Sequence, residues 1–175
     1  LSDKSLLHLL PGGRYDRHPL LYPYMREKLD ERGDAPELHR RHARYFLARA
    51  EAAGARVRRP RGRRDLDALE ADHENLRAAL QWGLTNEPGL ALRLAGSLGV
   101  FWEIRGHLAE GCAWLDAALA RGEEVGLSTP ARALEASGRL LYLRGDHQAA
   151  AARSRAALAQ WERAGDDAGR ARALG

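Results

Sequence analysis

The sequence predicts an all-α protein of stacked antiparallel helical hairpins, preceded by a short N-terminal β-hairpin, and three observations predict it. The first is composition. The 175 residues are 45% hydrophobic and 30% charged, and rich in Ala, Leu, Arg and Glu. These are strong helix formers, while β-branched residues are scarce. The second is periodicity, because apolar residues recur at three- and four-residue steps from Pro36 onward. The third is self-similarity: Ile104-Arg105-Gly106-His107 matches Leu143-Arg144-Gly145-Asp146 at an offset of 39 residues. A chain of this length can bury roughly 70% of its unfolded surface, enough for a core.

The elements follow in order. Ser5-Leu6-Leu7-His8-Leu9-Leu10 is a short apolar run, Pro11-Gly12-Gly13 supplies turn chemistry, and Arg14-Tyr15-Asp16 resumes. That pattern predicts a β-hairpin. A helix is expected from about Pro19 or Pro23 to Arg32, with Pro23 tolerated only in its first turn. Gly33-Asp34-Ala35-Pro36 closes this unit. The next helix is expected over 36–54, with Leu38, Tyr45, Phe46, Ala50 and Ala53 on one face. Residues 55–64, broken by Pro60 and Gly62, read as a basic linker. A further helix is expected over 65–84, with Leu66, Leu69, His73, Leu76 and Leu80 forming its apolar stripe.

The repeated half, expected over 87–175 with its last unit truncated, reads as hairpins: a helix, a tight turn at Arg-Gly, and a second helix. At the 39-residue offset Gly99 aligns with Gly138, Trp102 with Leu141, Gly111 with Ala150, Leu115 with Ser154, and Ala118 with Ala157. Glycine at the turn supplies the left-handed conformation that ends the first helix. Small residues at 99, 111 and 118 let helices approach. Leu108, Gly111, Cys112, Leu115, Ala118 and Leu119 fall on one face. One hairpin cannot bury such a face alone, so hairpins stack. Three segments result: residues 1–33, connecting helices over 34–86, and repeats over 87–175. Leu1 in place of Met and the closing run 171–175 are read as cuts in a longer chain.

Composition also narrows the classes of function. One cysteine, Cys112, excludes an internal disulfide and a multi-cysteine metal site, and its helical setting predicts a small buried hydrophobe. No run approaches the roughly 20 apolar residues that span a bilayer, and no signal peptide precedes the first structured segment. A cytoplasmic protein without a membrane partner is the expectation. The net charge of +4 is mild and almost wholly arginine, since Lys4 and Lys28 are the only lysines. It is weak evidence for nucleic acid.

The small residues at 138, 150 and 157, with Gly145-Asp146 at the turn, resemble tetratricopeptide repeats, and Gly99, Gly106, Gly111 and Ala118 fit the same positions. The 39-residue spacing exceeds that family's 34-residue pattern, and the surplus is placed around Gly122 to Pro130. The N-terminal part resembles something more specific. Ser2-Asp3-Lys4-Ser5-Leu6-Leu7, Arg14-Tyr15-Asp16-Arg17-His18-Pro19-Leu20-Leu21 and Glu27-Lys28-Leu29 are similar to the end of the winged-helix domain in NB-ARC/STAND-type signal-transducing ATPases. These include bacterial LuxR- and AfsR-like transcriptional regulators. Leu38-His39-Arg40-Arg41-His42-Ala43-Arg44-Tyr45-Phe46 and Leu69-Glu70-Ala71-Asp72-His73-Glu74-Asn75-Leu76-Arg77-Ala78-Ala79-Leu80 resemble the segments that follow there. Tyr22-Pro23 departs from the helix-forming pair usual at that point, and no G-x-x-x-x-G-K-[ST] phosphate loop is present.

That resemblance implies a winged-helix remnant, then a tetratricopeptide-like solenoid with a regulatory role. It binds a protein partner or small effector, next to an upstream ATPase domain of the same parent. ATP or ADP would bind that upstream domain and DNA would be met only by other domains, leaving this chain without a cofactor. The resemblance also implies that His18 contacts the phosphate of the parent's bound nucleotide.

Other candidate residues come from the sequence itself. Arg56, Arg58, Arg59, Arg61, Arg63 and Arg64 form a cationic cluster suited to a phosphate or acidic partner, though it lacks interleaved aromatics and also fits a solvated linker. Trp102, Trp114 and Trp161 are helical positions that fit packing or, on an open face, anchoring of a partner. His39 and His42 have metal-compatible spacing, but Arg40, Arg41 and Arg44 surround them, and no metal site is expected. His73 reads as a packing histidine. Asp65, Asp67, Glu70, Asp72 and Glu74 suit the positive end of a helix dipole. No nucleophile, base and oxyanion donor come together, so no enzyme is expected. A stand-alone scaffold and a nucleic-acid-binding repeat using the arginine cluster are the alternative readings.

Overall fold

The computed structural model describes residues 7–10, 14–17, 21–57, 62–128 and 130–166. The chain divides into two compact units, Leu1–His39 and Arg40–Gly175. In the first, β1 (Leu7–Leu10) pairs antiparallel with β2 (Arg14–Arg17), Leu7 opposite Arg17 and Leu10 opposite Arg14. Helix α1 (Leu21–Arg32) holds Pro23 in its first turn, where the missing N–H breaks no helical bond. Gly33, at φ 70°, ends it, and the Leu38 amide bonds the Asp34 carbonyl as α2 (Ala35–Arg56) begins.

The second unit is helical throughout its described residues. After α2 come α3 (Gly62–Ala71), α4 (His73–Asn86), α5 (Pro88–Arg105), α6 (Leu108–Glu124), α7 (Ala131–Leu143) and α8 (His147–Ala164). Each helix from α3 to α7 packs on the next, and α4 also meets α6 as α5 meets α7. Among the described residues no helix is long and apolar enough to cross a membrane.

Sequence explains where these helices stop. Gly106 (φ 80°) and Gly145 (φ 88°) adopt the left-handed conformation that a side chain would resist, and each turns one helix into the next. After α7 the Gly145 amide bonds the Tyr142 carbonyl and the Asp146 amide bonds the Leu141 carbonyl, satisfying two carbonyls of the last turn. The Asp146 carboxylate then accepts the Ala149 N–H and caps α8.

The core is centred on α5. Leu92, Leu94, Leu98, Phe101 and Trp102, with Leu76, Leu80, Leu115 and Leu140 from its neighbours, are each at most 1% exposed. Each such side chain contributes about 1.5–3 kcal/mol by leaving water. Small residues make the approach possible. A Cβ on Gly99 would lie 2.5 Å from the Ala136 Cβ, and one on Gly96 3.0 Å from the Ala133 amide nitrogen. One on Gly111 would lie 2.6 Å from a Leu140 methyl and 2.8 Å from the Trp102 ring.

Several expectations need correction. Helix α2 continues to Arg56 and α3 begins at Gly62, so the linker is shorter than 55–64. The helix expected over 65–84 is two helices, interrupted at Asp72. That residue is buried, 3.0 Å from Arg49, and its amide is drawn to both the Ala68 and Leu69 carbonyls. The interruption coincides with this ion pair to the half-buried Arg49 on α2. Leu38 and Tyr45 are exposed, while Ala43 and Leu47 join Phe46, Ala50 and Ala53 inside. Tyr45 instead accepts a hydrogen bond from Arg49 at 2.9 Å.

If the α5–α7 approach organises this unit, Gly99→Leu is expected to lower stability by about 1–3 kcal/mol. Overpacking against the α7 backbone should outweigh the up to ~1 kcal/mol gained in helix propensity. Urea denaturation checks this: a lower midpoint at unchanged slope is the expected result.

Candidate functional site

A polar cluster forms where α3, α4 and the start of α6 converge. Glu70 lies one residue before the end of α3, His73 opens α4, and His107 sits in the turn after Gly106, immediately before α6. Glu110 follows in the first turn of α6, where the helix dipole favours a carboxylate. Glu70 and His73, three residues apart, lie on the same side of the chain as neighbours on a helix do, with His73 Nδ1 4.0 Å from Glu70 Oε1.

The Glu110 carboxylate is held on every side. Arg77 donates through Nε to Oε1 at 2.8 Å and through Nη2 to Oε2 at 2.7 Å, a two-point fork. Trp114 Nε1 donates to Oε1 at 3.3 Å, and His73 Nε2 lies 3.1 Å from the same oxygen. Arg77 also reaches Glu74 on its own helix. The Arg77 hydrogen bonds hold the Glu110 carboxyl down to about 2, against the opposing effect of burial, and His73 and the Trp114 N–H add to the depression. The reciprocal contact raises the guanidinium of Arg77.

His107 Nε2 stands 3.0 and 3.1 Å from the two Glu70 oxygens. The imidazoles of His73 and His107 lie with centroids 4.5 Å apart, and the Phe101 ring packs edge-on against His73 at 5.4 Å and tilted against His107 at 5.6 Å. One side of the cluster is therefore an aromatic wall. The other opens outward through Glu70, whose side chain is 40% exposed. Beside it, Arg105 pairs with Asp67.

The nucleotide-sensing candidate His18 and the partner-binding candidates Arg58, Arg59 and Arg61 lie outside the described residues. Arg63 and Arg64 are exposed on the first turn of α3. Arg56 is committed to Asp65 by two bonds of 2.9 and 3.1 Å, which removes one charge from the cationic cluster. Trp102 is 1% exposed, so the anchoring role is corrected: its ring fills the space above Gly111 in the core. Trp114 is half-buried and tied to Glu110, and Trp161 is half-buried on α8. His39 is exposed, and His42 packs its ring on Phe46 at 4.7 Å. Sequence reasoning did not single out His107, Arg77 or Glu110. Their partners lie 33–37 residues away, one repeat along the chain, and only that spacing could have suggested them.

The chain is 34% identical over 138 residues to a protein of Mycobacterium bovis named "Putative HTH-type transcriptional regulator", and equally to two Mycobacterium tuberculosis proteins of that name. The match takes in 76% of this chain and 16% of each relative. The chain therefore spans about a sixth of the length of the curated relatives it matches. No family model matches it, and no solved structure gives a significant match. The likeness and the helical architecture together fit a helical domain of a regulator-like protein.

Glu110 makes the acid limb of stability predictable. A carboxyl held near 2 when folded and near its ordinary 4.5 when unfolded stabilises the fold fully above about 4.5, and that contribution disappears as pH falls through about 2. Urea midpoints measured from pH 7 to pH 2 should fall less steeply in Glu110→Gln than in the parent sequence. Superimposable acid limbs would show that the fork does not act this way.

Proposed function

We propose that this chain is the regulatory, partner-binding repeat segment of a larger signal-transducing transcriptional regulator, and that it acts by recognition rather than catalysis. In this reading the stacked hairpins are tetratricopeptide-like and the N-terminal unit is the remnant of a winged helix. An ATPase domain of the LuxR/AfsR-like, NB-ARC/STAND type lies elsewhere in the same cytoplasmic parent. ATP or ADP would be bound by that domain, and DNA would be met through others.

One observation carries the reading. Ile104 and Leu143, which occupy equivalent positions at the ends of α5 and α7, are 56% and 40% exposed, and Tyr142 beside Leu143 is 56% exposed. Apolar side chains repeated at the same edge of successive hairpins give a protein partner a periodic set of contacts. The similarity to transcriptional regulators supports the regulatory half of the proposal.

Coupling requires that the partner distinguish two states of the parent. Nucleotide turnover by the full-length regulator should change about 5-fold or more when residues 87–175 are deleted, the range typical of an allosteric coupling. Ile104→Asp with Leu143→Asp should produce the same direction of change while leaving the thermal midpoint of the chain nearly unmoved, since both side chains are exposed. Unchanged turnover in both would sink the proposal.

A further inference from the structure

We propose that Glu70, His73 and His107 form a binding site for a divalent transition-metal ion, zinc in particular. The donor atoms of these three side chains all lie within 4.8 Å of one another. Tetrahedral coordination at metal–ligand distances of about 2.0–2.1 Å places ligand atoms roughly 3.3 Å apart. The separations of 3.0 Å from Glu70 Oε1 to His107 Nε2 and 4.0 Å to His73 Nδ1 straddle that value. Two imidazoles and one carboxylate are a donor set that zinc accepts with a fourth position left for water or another ligand.

The surroundings of the cluster single it out from an ordinary surface ion pair. His73 Nε2 faces the Glu110 carboxylate at 3.1 Å, so in the neutral ring that nitrogen donates and the Nδ1 lone pair is turned toward Glu70. Nδ1 is then the atom a metal would take, 4.0 Å from Glu70 Oε1 and beyond hydrogen-bond distance of it. Glu110 is in turn fixed by the Arg77 fork and Trp114, which gives His73 the outer-shell carboxylate that metal-bound histidines characteristically have. Phe101 restrains both rings from one side. Charges nearby do not oppose the ion: Arg77 is neutralised by Glu110 and Glu74, and Arg105 by Asp67.

Binding would replace the proton held between His107 Nε2 and Glu70 with the metal, and so releases a proton. It would join α3, α4 and the α5–α6 turn at one point. This inference is independent of the partner-binding proposal.

Calorimetric titration of the 175-residue chain with zinc chloride, alongside cobalt(II) absorption spectra, tests it. One equivalent should bind with a dissociation constant tighter than about 10 μM, and cobalt should give the intense visible bands of a four-coordinate site. His107→Gln and Glu70→Gln should each abolish this, with folding checked by circular dichroism, and Glu110→Gln should weaken it by about 10–100-fold. His39→Ala with His42→Ala should leave it unchanged. Binding weaker than that limit overturns the proposal, as does binding retained in the Glu70 and His107 variants or lost with His39 and His42.

Discussion

The second unit depends on how closely α5 can approach α7. Gly96 and Gly99 on one helix meet Ala133 and Ala136 on the other, with no room for even a methyl group at Gly99. That approach brings Trp102 and Leu140 down onto Gly111 and so draws α6 into the same contact. Large apolar side chains fill the core, but small ones set the distances at which they meet. Dispersion forces fall steeply with separation, so a spacer an ångström too wide would cost contacts along the whole interface.

Polar interactions follow the repeat rather than compete with it. Arg139 reaches back to Glu103, Arg153 to Asp116, Arg77 forward to Glu110 and His107 back to Glu70, each spanning 33–37 residues. These contacts lie around the apolar core and tie one helical pair to the next. The exposed pairs contribute little each. The Glu110 cluster differs because four donors converge on one carboxylate, which fixes the geometry of His73 and, through it, the arrangement facing Glu70 and His107.

Much of this was legible in the residues. The glycine turns at 106 and 145, the hairpins they join and the buried face of α6 follow from periodicity and offset alone. Legibility failed where tertiary contacts overrode local pattern. The apolar stripe runs on through 65–84, yet the helix is interrupted at Asp72, where the carboxylate pairs with Arg49 of α2. Trp102 carries the same residue type as a partner anchor but faces Gly111 in the interior. A further repeat signal lay unused: Leu76, Ala79 and Leu80 stand 39 residues before Leu115, Ala118 and Leu119, and all six are buried. The histidine–carboxylate cluster was invisible to local reading because its members come from three elements and no short motif joins them.

Hydrogen–deuterium exchange of the second unit addresses the central claim most directly, because it reports whether the hairpins form one packed series. The expected pattern is slow exchange running together through residues 90–102, 111–122 and 133–141, losing protection as a single cooperative unit as denaturant is raised. Rapid exchange of 133–141 while 90–102 remains protected would contradict it, because α5 would then hold its structure without α7 against it.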